Sequence, residues 1–224
     1  MNEAELRERL GPVLDLLAHD PASLSSVRHP NDAWRVHVRD SLSGLEFVGT
    51  PDRLADVGAG AGFPGLVLAA ALPATRVDLI ESVSRKAEFV ERAIAAAGLA
   101  NARAIDARSE EWAAAPAPEG GREAYEVVTA RAVGRLATLA ELASPLLRRG
   151  GTLVAWKGRR DVEEEAELAR AVPRLAMAPA RIAAVGERAG FEHRHIHAVR
   201  KVGPTPENLP RRAGLAKRRP FGSS

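Results

Sequence analysis

The chain has 224 residues, a length that suits one domain with a short appendage. Hydrophobic residues make up 46% of it and charged residues 27%, which is enough for a core and for a polar surface. Cysteine is absent, which excludes disulfides, thiolate metal sites and a cysteine nucleophile. No stretch of the sequence has the pattern of a signal peptide or of a membrane span. We therefore expect a cytoplasmic protein that makes no membrane contact.

Residues 1–48 are predicted to form a helical cap beside the rest of the chain. Asn31-Asp32 is typical of a helix cap and predicts a second helix from about residue 33 to residue 45, after a loop over residues 23–30. Gly11-Pro12 interrupts the first helical pattern, which leaves open one helix or two short helices. That pattern is an apolar stripe with i, i+3/i+4 spacing, formed by Leu6, Leu10, Val13, Leu14 and Leu17.

A glycine-dense turn follows the first predicted strand, Leu54 to Val57. The turn covers residues 58–65 and leads into an apolar segment, Gly65 to Leu72, that is predicted to be a helix. Glycine lets the backbone turn sharply and lets a ligand lie against it, while the first amides of the helix face that ligand. Gly60 to Gly65 fits G-x-G-x-x-G, which alone is a weak sign of dinucleotide binding. No Lys-Ser/Thr follows the last glycine, so the turn is not a P-loop.

The second predicted strand, Arg76 to Glu81, ends in an acidic residue about twenty residues past the glycine turn. In a βαβ unit, a carboxylate at that place can accept hydrogen bonds from both hydroxyls of a ribose. We predict this role for Glu81. A helix over residues 84–98 and a third strand over residues 102–106 follow, and the loop after the third strand is expected to lie over the base of a bound nucleoside.

The fourth strand, Tyr125 to Arg131, and the fifth, Thr152 to Gly158, each bring a cation to their carboxyl end. Ligands of open α/β sheets bind at those ends, so Arg131 and Lys157 are predicted to lie near the site. Helices are predicted over residues 134–147 and 161–171, and strands over residues 181–185 and 193–202. The alternation of strands and helices predicts an α/β fold with a doubly wound, mostly parallel sheet.

Histidines 193, 195 and 197 alternate on one face of the last predicted strand. Neighbouring positions on one strand face are about 7 Å apart, which suits a single metal ion poorly. We interpret these histidines as strand surface and predict no metal site.

The C-terminus is strongly basic. Residues 194–224 hold eight Lys or Arg residues and one acid, so the rest of the chain carries a net charge of −4 against +3 for the whole. Such a segment is typical of proteins that bind phosphate-bearing partners, although a solvated tail is the simpler alternative. Three prolines argue against a helix there. We divide the chain into a cap (1–48), a ligand-binding domain (49–203) and a basic tail (204–224).

Several stretches resemble the bacterial 16S ribosomal RNA guanine-N7 methyltransferase family, also called glucose-inhibited division protein B. The resemblance covers nearly the whole chain. Val36 is a departure, because the family usually has Arg there and this chain has Arg35 one position earlier. The matching stretches are residues 23–42, Asp56 to Gly65, Leu79 to Ser82 with Arg85-Lys86 and Phe89, Arg108 to Glu111, Ala130 to Val133, Pro145 to Gly151, Trp156 to Gly158, Leu209 to Gly214 and Lys217 to Pro220.

This resemblance implies a class I, Rossmann-like methyltransferase fold, S-adenosylmethionine as the cofactor, and 16S ribosomal RNA or the small ribosomal subunit as the partner of a monomeric enzyme. From their place at the strand ends, we predict that Arg131 and Lys157 have a catalytic role and orient the guanine or a phosphate. RNA contacts are expected for His37, Arg211, Arg212 and Lys217. By position, the implied cofactor contacts are Asp56, Gly58, Gly60, Phe63, Glu81, Ser109, Glu110 and Arg131.

Two other classes of function stay open at this level. The Gly60 to Gly65 match and Glu81 also suit a nicotinamide-dinucleotide-dependent oxidoreductase, although no second nucleotide-binding half is evident. A non-catalytic RNA-binding module with the same fold is the other alternative.

Guanine N7 has a lone pair and no proton, so a methyltransferase of this kind needs alignment of the reactants and no general base.

Overall fold

The computed structural model describes residues 2–20, 24, 25, 27 and 29–222. Seven strands form one sheet in the order β3-β2-β1-β4-β5-β7-β6. All neighbours are parallel except β7, which runs antiparallel to β5 and to β6. The strands are β1 (Arg53–Val57), β2 (Arg76–Glu81), β3 (Ala102–Asp106), β4 (Tyr125–Arg131), β5 (Leu147–Lys157), β6 (Arg181–Ala184) and β7 (His195–Arg200).

Helices cover both faces of this sheet, which confirms the predicted doubly wound α/β class. They are α1 (Glu3–His19), α2 (Pro30–Ala33), α3 (Asp40–Leu42), α4 (Leu45–Val48), α5 (Gly65–Ala71), α6 (Ser84–Ala96), α7 (Ser109–Trp112), α8 (Leu136–Ala143), α9 (Val162–Ala171), α10 (Gly186–Ala189) and α11 (Leu215–Arg218). A π-helix, Trp34–Arg39, joins α2 to α3, and a 3₁₀-helix, Val172–Leu175, follows α9. None of the helices that the structure describes has the length and apolar character needed to span a bilayer.

The order of the strands determines where a ligand-binding crevice forms. The chain adds β2 and β3 on one side of β1 and then crosses to add β4 and β5 on the other side. The loops that leave β1 and β4 therefore diverge, and they open a crevice at the carboxyl ends of these two strands. The glycine turn after Val57 and the segment after Arg131 lie at this crevice.

Two hydrophobic cores fill the two faces of the sheet, because successive strand residues point to opposite sides. Leu54, Val154 and Trp156 belong to the core that includes α1, α5 and α6. Ala55 and Leu153, one position away on the same strands, belong to the core that includes α8 and α9. These fully buried strands are Val-, Ala- and Leu-rich, as parallel strands covered on both faces usually are.

The cap settles one open alternative and differs from its prediction in the second helical segment. Gly11-Pro12 does not divide the first helix, because α1 is continuous from Glu3 to His19 and buries its apolar stripe. The second helical segment begins at Pro30 and ends at Leu42, and its middle is π-helical. Asn31-Asp32 therefore lies inside the segment and does not cap it. Part of the predicted loop over residues 23–30 lies outside the described residues.

Two predictions near the C-terminus were wrong. His197 is not strand surface: it is buried, and its Nε2 lies 3.1 Å from Glu165 Oε1. A helix does form in the C-terminal segment, because Leu215–Arg218 follows the last of its three early prolines and starts at Gly214, whose φ of +78° favours glycine. Up to residue 222 the segment packs on the sheet domain, and Leu209 and Phe221 join the core beside α8.

Candidate active site

The glycine turn holds its shape through positive φ angles and close packing. Gly58 has a φ of +66°, and a Cβ built there would lie 2.7 Å from Val133 Cγ2. Gly60 has a φ of +60°, but a Cβ built there would meet nothing closer than 3.8 Å. The turn is thus tight at its first glycine and open at the second, where a ligand has room to lie against the backbone.

Asp56 lies beneath the turn and fixes it to the helix that follows. Its side chain is fully buried, its Oδ2 accepts from the amide of Gly65 at 2.9 Å, and its Oδ1 accepts from Thr129 Oγ1 at 2.8 Å. Burial raises the pKa of Asp56 to about 6, against the opposing effect of these two hydrogen bonds. Since both of its oxygens serve the scaffold, Asp56 supports the turn from below.

Glu81 connects the end of β2 to the same turn. Its Oε2 accepts from the amide of Gly60 and its Oε1 accepts from the amide of Val83, both at 2.9 Å. The carboxylate is buried at the crevice, and each oxygen keeps a further lone pair. Glu81 can therefore hold the turn and accept ribose hydroxyls at the same time, which fits the role predicted from its position.

A cavity of about 180 Å³ lies over the carboxyl ends of β1, β2 and β3. The predicted residues Ser109 and Glu110 line it at the start of α7. The C-terminal segment closes its outer side, because the amide of Gly214 donates to Glu110 Oε1 at 2.7 Å. The lining residues are Val57, Gly58, Ile80, Ser82, Ala107, Arg108, Ser109, Glu110, Val133, Leu142, Gly214 and Lys217. It lies beside Glu81, where the sequence predicts the ribose of the cofactor, and we call it the adenosine cavity.

A second cavity, of about 390 Å³, lies at the carboxyl ends of β4 and β5. It is lined by Val36, His37, Asp40, Arg131, Ala132, Trp156, Lys157, Gly158 and Arg194. We call it the acceptor cavity, because it lies on the side of the glycine turn away from the adenosine cavity. The structure thus brings the predicted residues Arg131, Lys157 and His37 together.

Arg131 is anchored to the cap. Its Nη1 donates to Asp40 Oδ2 at 2.8 Å and to the carbonyl oxygen of Val36 at 3.0 Å. The guanidinium also lies 5.8 Å from the centroid of the Phe63 ring. The π-helix therefore presents a backbone carbonyl and a carboxylate to the end of β4, and π-helical turns often mark functional sites.

Asp40 is the residue that sequence reasoning missed. Its carboxylate is 1% exposed and lies between Arg131 and Arg194, whose Nε is 2.6 Å from Asp40 Oδ1. Trp156 Nε1 donates to the Asp40 carbonyl oxygen at 2.8 Å. In the sequence, Asp40 is only one acid on a polar helix face, and its partners are 91 and 154 residues away. No local pattern could have joined them.

Lys157 and His37 have partners that limit their chemistry. Lys157 Nζ donates to Glu164 Oε1 at 2.7 Å and to the Gly134 carbonyl oxygen at 3.1 Å. The His37 ring stacks on Phe63 at 4.6 Å, and its Nε2 lies 3.0 Å from Ser25 Oγ. Burial and the nearby Arg131 lower the pKa of His37 to about 4, so the imidazole is uncharged at neutral pH.

The basic C-terminal residues divide into two kinds. Arg211 makes a paired contact with Glu141, at 2.5 and 2.6 Å, and also donates to the Arg219 carbonyl oxygen. It therefore holds the segment against α8. Arg212 and Lys217 are exposed, and Lys217 lies at the edge of the adenosine cavity. Within the described residues, no group of three His, Asp or Glu side chains could hold a metal ion.

The family model described as rRNA small subunit methyltransferase G, GidB, matches residues 16–196. The chain is 37% identical to the ribosomal RNA small subunit methyltransferase G of Desulfitobacterium hafniense, over 91% of this chain and 83% of the relative. It is 40% identical to the protein of the same name from Pelotomaculum thermopropionicum, over 89% and 83% of the two chains. The chain belongs to this family. It is a methyltransferase, and S-adenosylmethionine is its cofactor.

Solved structures of other methyltransferases have the same fold as this chain. A predicted O-methyltransferase from Agrobacterium tumefaciens superposes with a TM-score of 0.59 at 25% identity, over 74% of this chain and 81% of that one. A geranyl diphosphate C-methyltransferase from Streptomyces coelicolor, solved with S-adenosyl-L-homocysteine, superposes with a TM-score of 0.61 at 15% identity, over 88% and 98%. Family membership thus confirms the predicted methyltransferase over the oxidoreductase alternative, and the solved structures confirm the fold.

Proposed function

We propose that the chain methylates N7 of a guanosine in small-subunit ribosomal RNA. The observation that carries this proposal is the joint placement of Glu81 and the glycine turn beside one cavity and of Arg131 beside the next. We infer that the first cavity holds the adenosine of the cofactor and that the acceptor cavity receives the base. Bound S-adenosylmethionine supplies a methyl group that is electrophilic because it is attached to a sulfonium.

The protonation states at the site favour an acceptor atom that carries no proton. His37 has a pKa of about 4 and is a weak base at neutral pH. Asp56 has a pKa of about 6, but it is buried beneath the turn with both oxygens occupied. Lys157 is paired with Glu164. Guanine N7 suits such a site because its lone pair is free, so alignment and exclusion of water are sufficient.

The chain's own residues supply this alignment. Glu81 and the amides around Gly60 would hold the ribose and the donor end of the cofactor. Phe63 stacks on His37, which lines the acceptor cavity, and its apolar ring would help to exclude water beside the path of transfer. Arg131, held by Asp40, lines the acceptor cavity and would bind an oxyanion of the substrate there.

The proposal is tested by methyl transfer from labelled S-adenosylmethionine to small-subunit RNA and to assembled small subunits. We expect one labelled guanosine, identified as N7-methylguanine by nuclease digestion and mass spectrometry. Label on another atom of guanine would contradict the N7 assignment. RNA binding without transfer would favour the non-catalytic module.

We further propose that one chain acts alone and works in the cytoplasm, where the small subunit assembles. The division of the chain at residues 48 and 203 stays a prediction. We also propose that the segment after residue 203, which packs on the sheet domain, forms part of the site and brings exposed cations to its edge.

The exposed cations of the C-terminal segment are expected to bind RNA phosphates. Arg212→Ala combined with Lys217→Ala should lower RNA affinity and reduce the slope of log affinity against log salt by about 0.7–0.9 per lost contact. The thermal midpoint should not change, because neither side chain is buried. Filter binding at several salt concentrations measures the slope.

Arg76→Ala combined with Arg149→Ala is the matched control, because it removes the same charge from exposed positions at the amino ends of β2 and β5. If both double variants reduced the salt slope equally, the C-terminal segment would have no specific role in RNA binding. Truncation after Val202 is a poorer test, since it would also take Leu209 and Phe221 out of the core.

A further inference from the structure

Three cationic side chains of the acceptor cavity are in direct contact with only two carboxylates, those of Asp40 and Glu164, while the buried Asp56 attracts Arg131 from farther away. The three are Arg131, Lys157 and Arg194. Lys157 is neutralised by Glu164, 2.7 Å away. Arg131 and Arg194 share a single carboxylate, that of Asp40, at 2.8 and 2.6 Å. Burying an unneutralised cation is costly, so a cavity of this kind is suited to an anion.

Arg194 is the cation with donors to spare. Only its Nε contacts Asp40, and the guanidinium lies 5.0 Å from the Phe191 ring. In the part of the chain that the structure describes, no group accepts a hydrogen bond from its Nη nitrogens. The guanidinium is a rigid fork of five donors, so contact through Nε leaves the other edge free for a planar or tetrahedral oxyanion. With only 20% of the side chain exposed, the group is also partly desolvated, which strengthens such a contact.

The place of Arg194 in the sheet points to the RNA and not to the cofactor. It directly precedes β7, which is three strands away from β1 in the sheet, or about 14 Å at the usual strand spacing. The adenosine cavity lies in the opposite direction, over the ends of β2 and β3. An anion at Arg194 is therefore on the side where the acceptor base must enter.

We propose that Arg194 binds a backbone phosphate of the RNA next to the target guanosine, and that Asp40 orients it for this contact. The inference rests on the proposed function, because it takes the acceptor cavity as the place of the RNA. The phosphate would give Arg194 an anionic partner besides Asp40, which it shares with Arg131. Arg194 thus positions the target nucleotide, while the C-terminal segment contacts RNA farther from it.

The test compares Arg194→Ala with Arg149→Ala, which removes the same charge at the amino end of β5. For Arg194→Ala we expect RNA affinity to fall about 10- to 100-fold, as for a lost hydrogen bond to a charged group. The salt slope should fall by about one phosphate contact. In the methylation assay KM for RNA should rise by the same factor with kcat nearly unchanged. Arg194→Lys should recover part of the loss, since it keeps the charge without the fork.

Three measurements distinguish an RNA phosphate from the cofactor carboxylate and from a purely structural role of Arg194. Calorimetry with S-adenosylhomocysteine should give the wild-type dissociation constant for Arg194→Ala; a matching loss of cofactor affinity would assign the anion to the cofactor carboxylate and overturn the proposal. RNA affinity equal to that of Arg149→Ala would also overturn it. If Arg194→Ala lowers the thermal midpoint, Arg194→Gln is used to test the RNA contact, because its side-chain amide can still donate a hydrogen bond to Asp40. Failure of the wild type to methylate RNA would refute the proposed function, and RNA affinity would still decide the role of Arg194.

Discussion

Asp40→Ala is expected to lower the free energy of unfolding by about 3–5 kcal/mol. Asp40 is the only carboxylate in contact with both Arg131 and Arg194 among the described residues that line the acceptor cavity. Its removal would leave two partly buried cations without a counter-charge. Chemical denaturation followed by circular dichroism measures this loss. Methyl transfer should fall as well, because Arg131 loses the partner that holds it at the crevice.

Asp32→Ala is the matched control for this prediction. Asp32 is in the same cap and also pairs with an arginine, Arg35, but at 3.5 Å with both side chains exposed. Such surface pairs contribute little, so we expect a change within about 0.5 kcal/mol. Equal effects of the two substitutions would show that Asp40 is not the link between the cap and the sheet. Asp40→Asn should fall in between, because the amide still accepts one hydrogen bond.

Glu81→Ala is expected to weaken cofactor binding at least about 100-fold, as for the loss of one or two hydrogen bonds to a charged acceptor. The substitution removes the predicted ribose acceptor and the acceptor for the amides of Gly60 and Val83. The turn would then no longer be held in its binding shape. Calorimetry with S-adenosylmethionine and S-adenosylhomocysteine measures the affinity.

Asp106→Ala provides the comparison, because Asp106 is the register partner of Glu81 at the end of the next strand. Its side chain is exposed, whereas that of Glu81 is buried and accepts from the amide of Gly60 in the glycine turn, so we expect nearly wild-type affinity. Glu81→Gln should retain part of the binding through its remaining carbonyl oxygen. Wild-type affinity in Glu81→Ala would exclude the ribose contact, and an equal loss in Asp106→Ala would indicate a general charge effect.

The C-terminal segment acquires a role that its charge alone did not suggest. Its basic composition predicted a tail for phosphate-bearing partners. In addition, Arg211 holds it to Glu141 while Gly214 donates to Glu110 at the adenosine cavity. The segment therefore joins the part of the surface expected to contact RNA to the wall of the adenosine cavity.

The features that were predicted correctly from the sequence depend on local patterns of residues. The glycine turn, β2 with Glu81, β3 and β4 with Arg131 lie where they were predicted, because strand, turn and helix signals depend on neighbouring residues. The alternation of strands and helices determined the fold class, and the strand ends placed the crevice. Family membership then followed from the order and spacing of several such stretches.

Long-range contacts decided the rest. The pairing of Asp40 with Arg131 and Arg194, the buried contact of His197 with Glu165 and the docking of Arg211 on Glu141 each join residues more than thirty positions apart. In the sequence each of these residues is an ordinary polar residue, since its burial and its partner depend on how distant elements pack. The sequence thus determined the glycine turn, where we propose that the cofactor binds, and only the tertiary structure decided which charges surround the acceptor cavity.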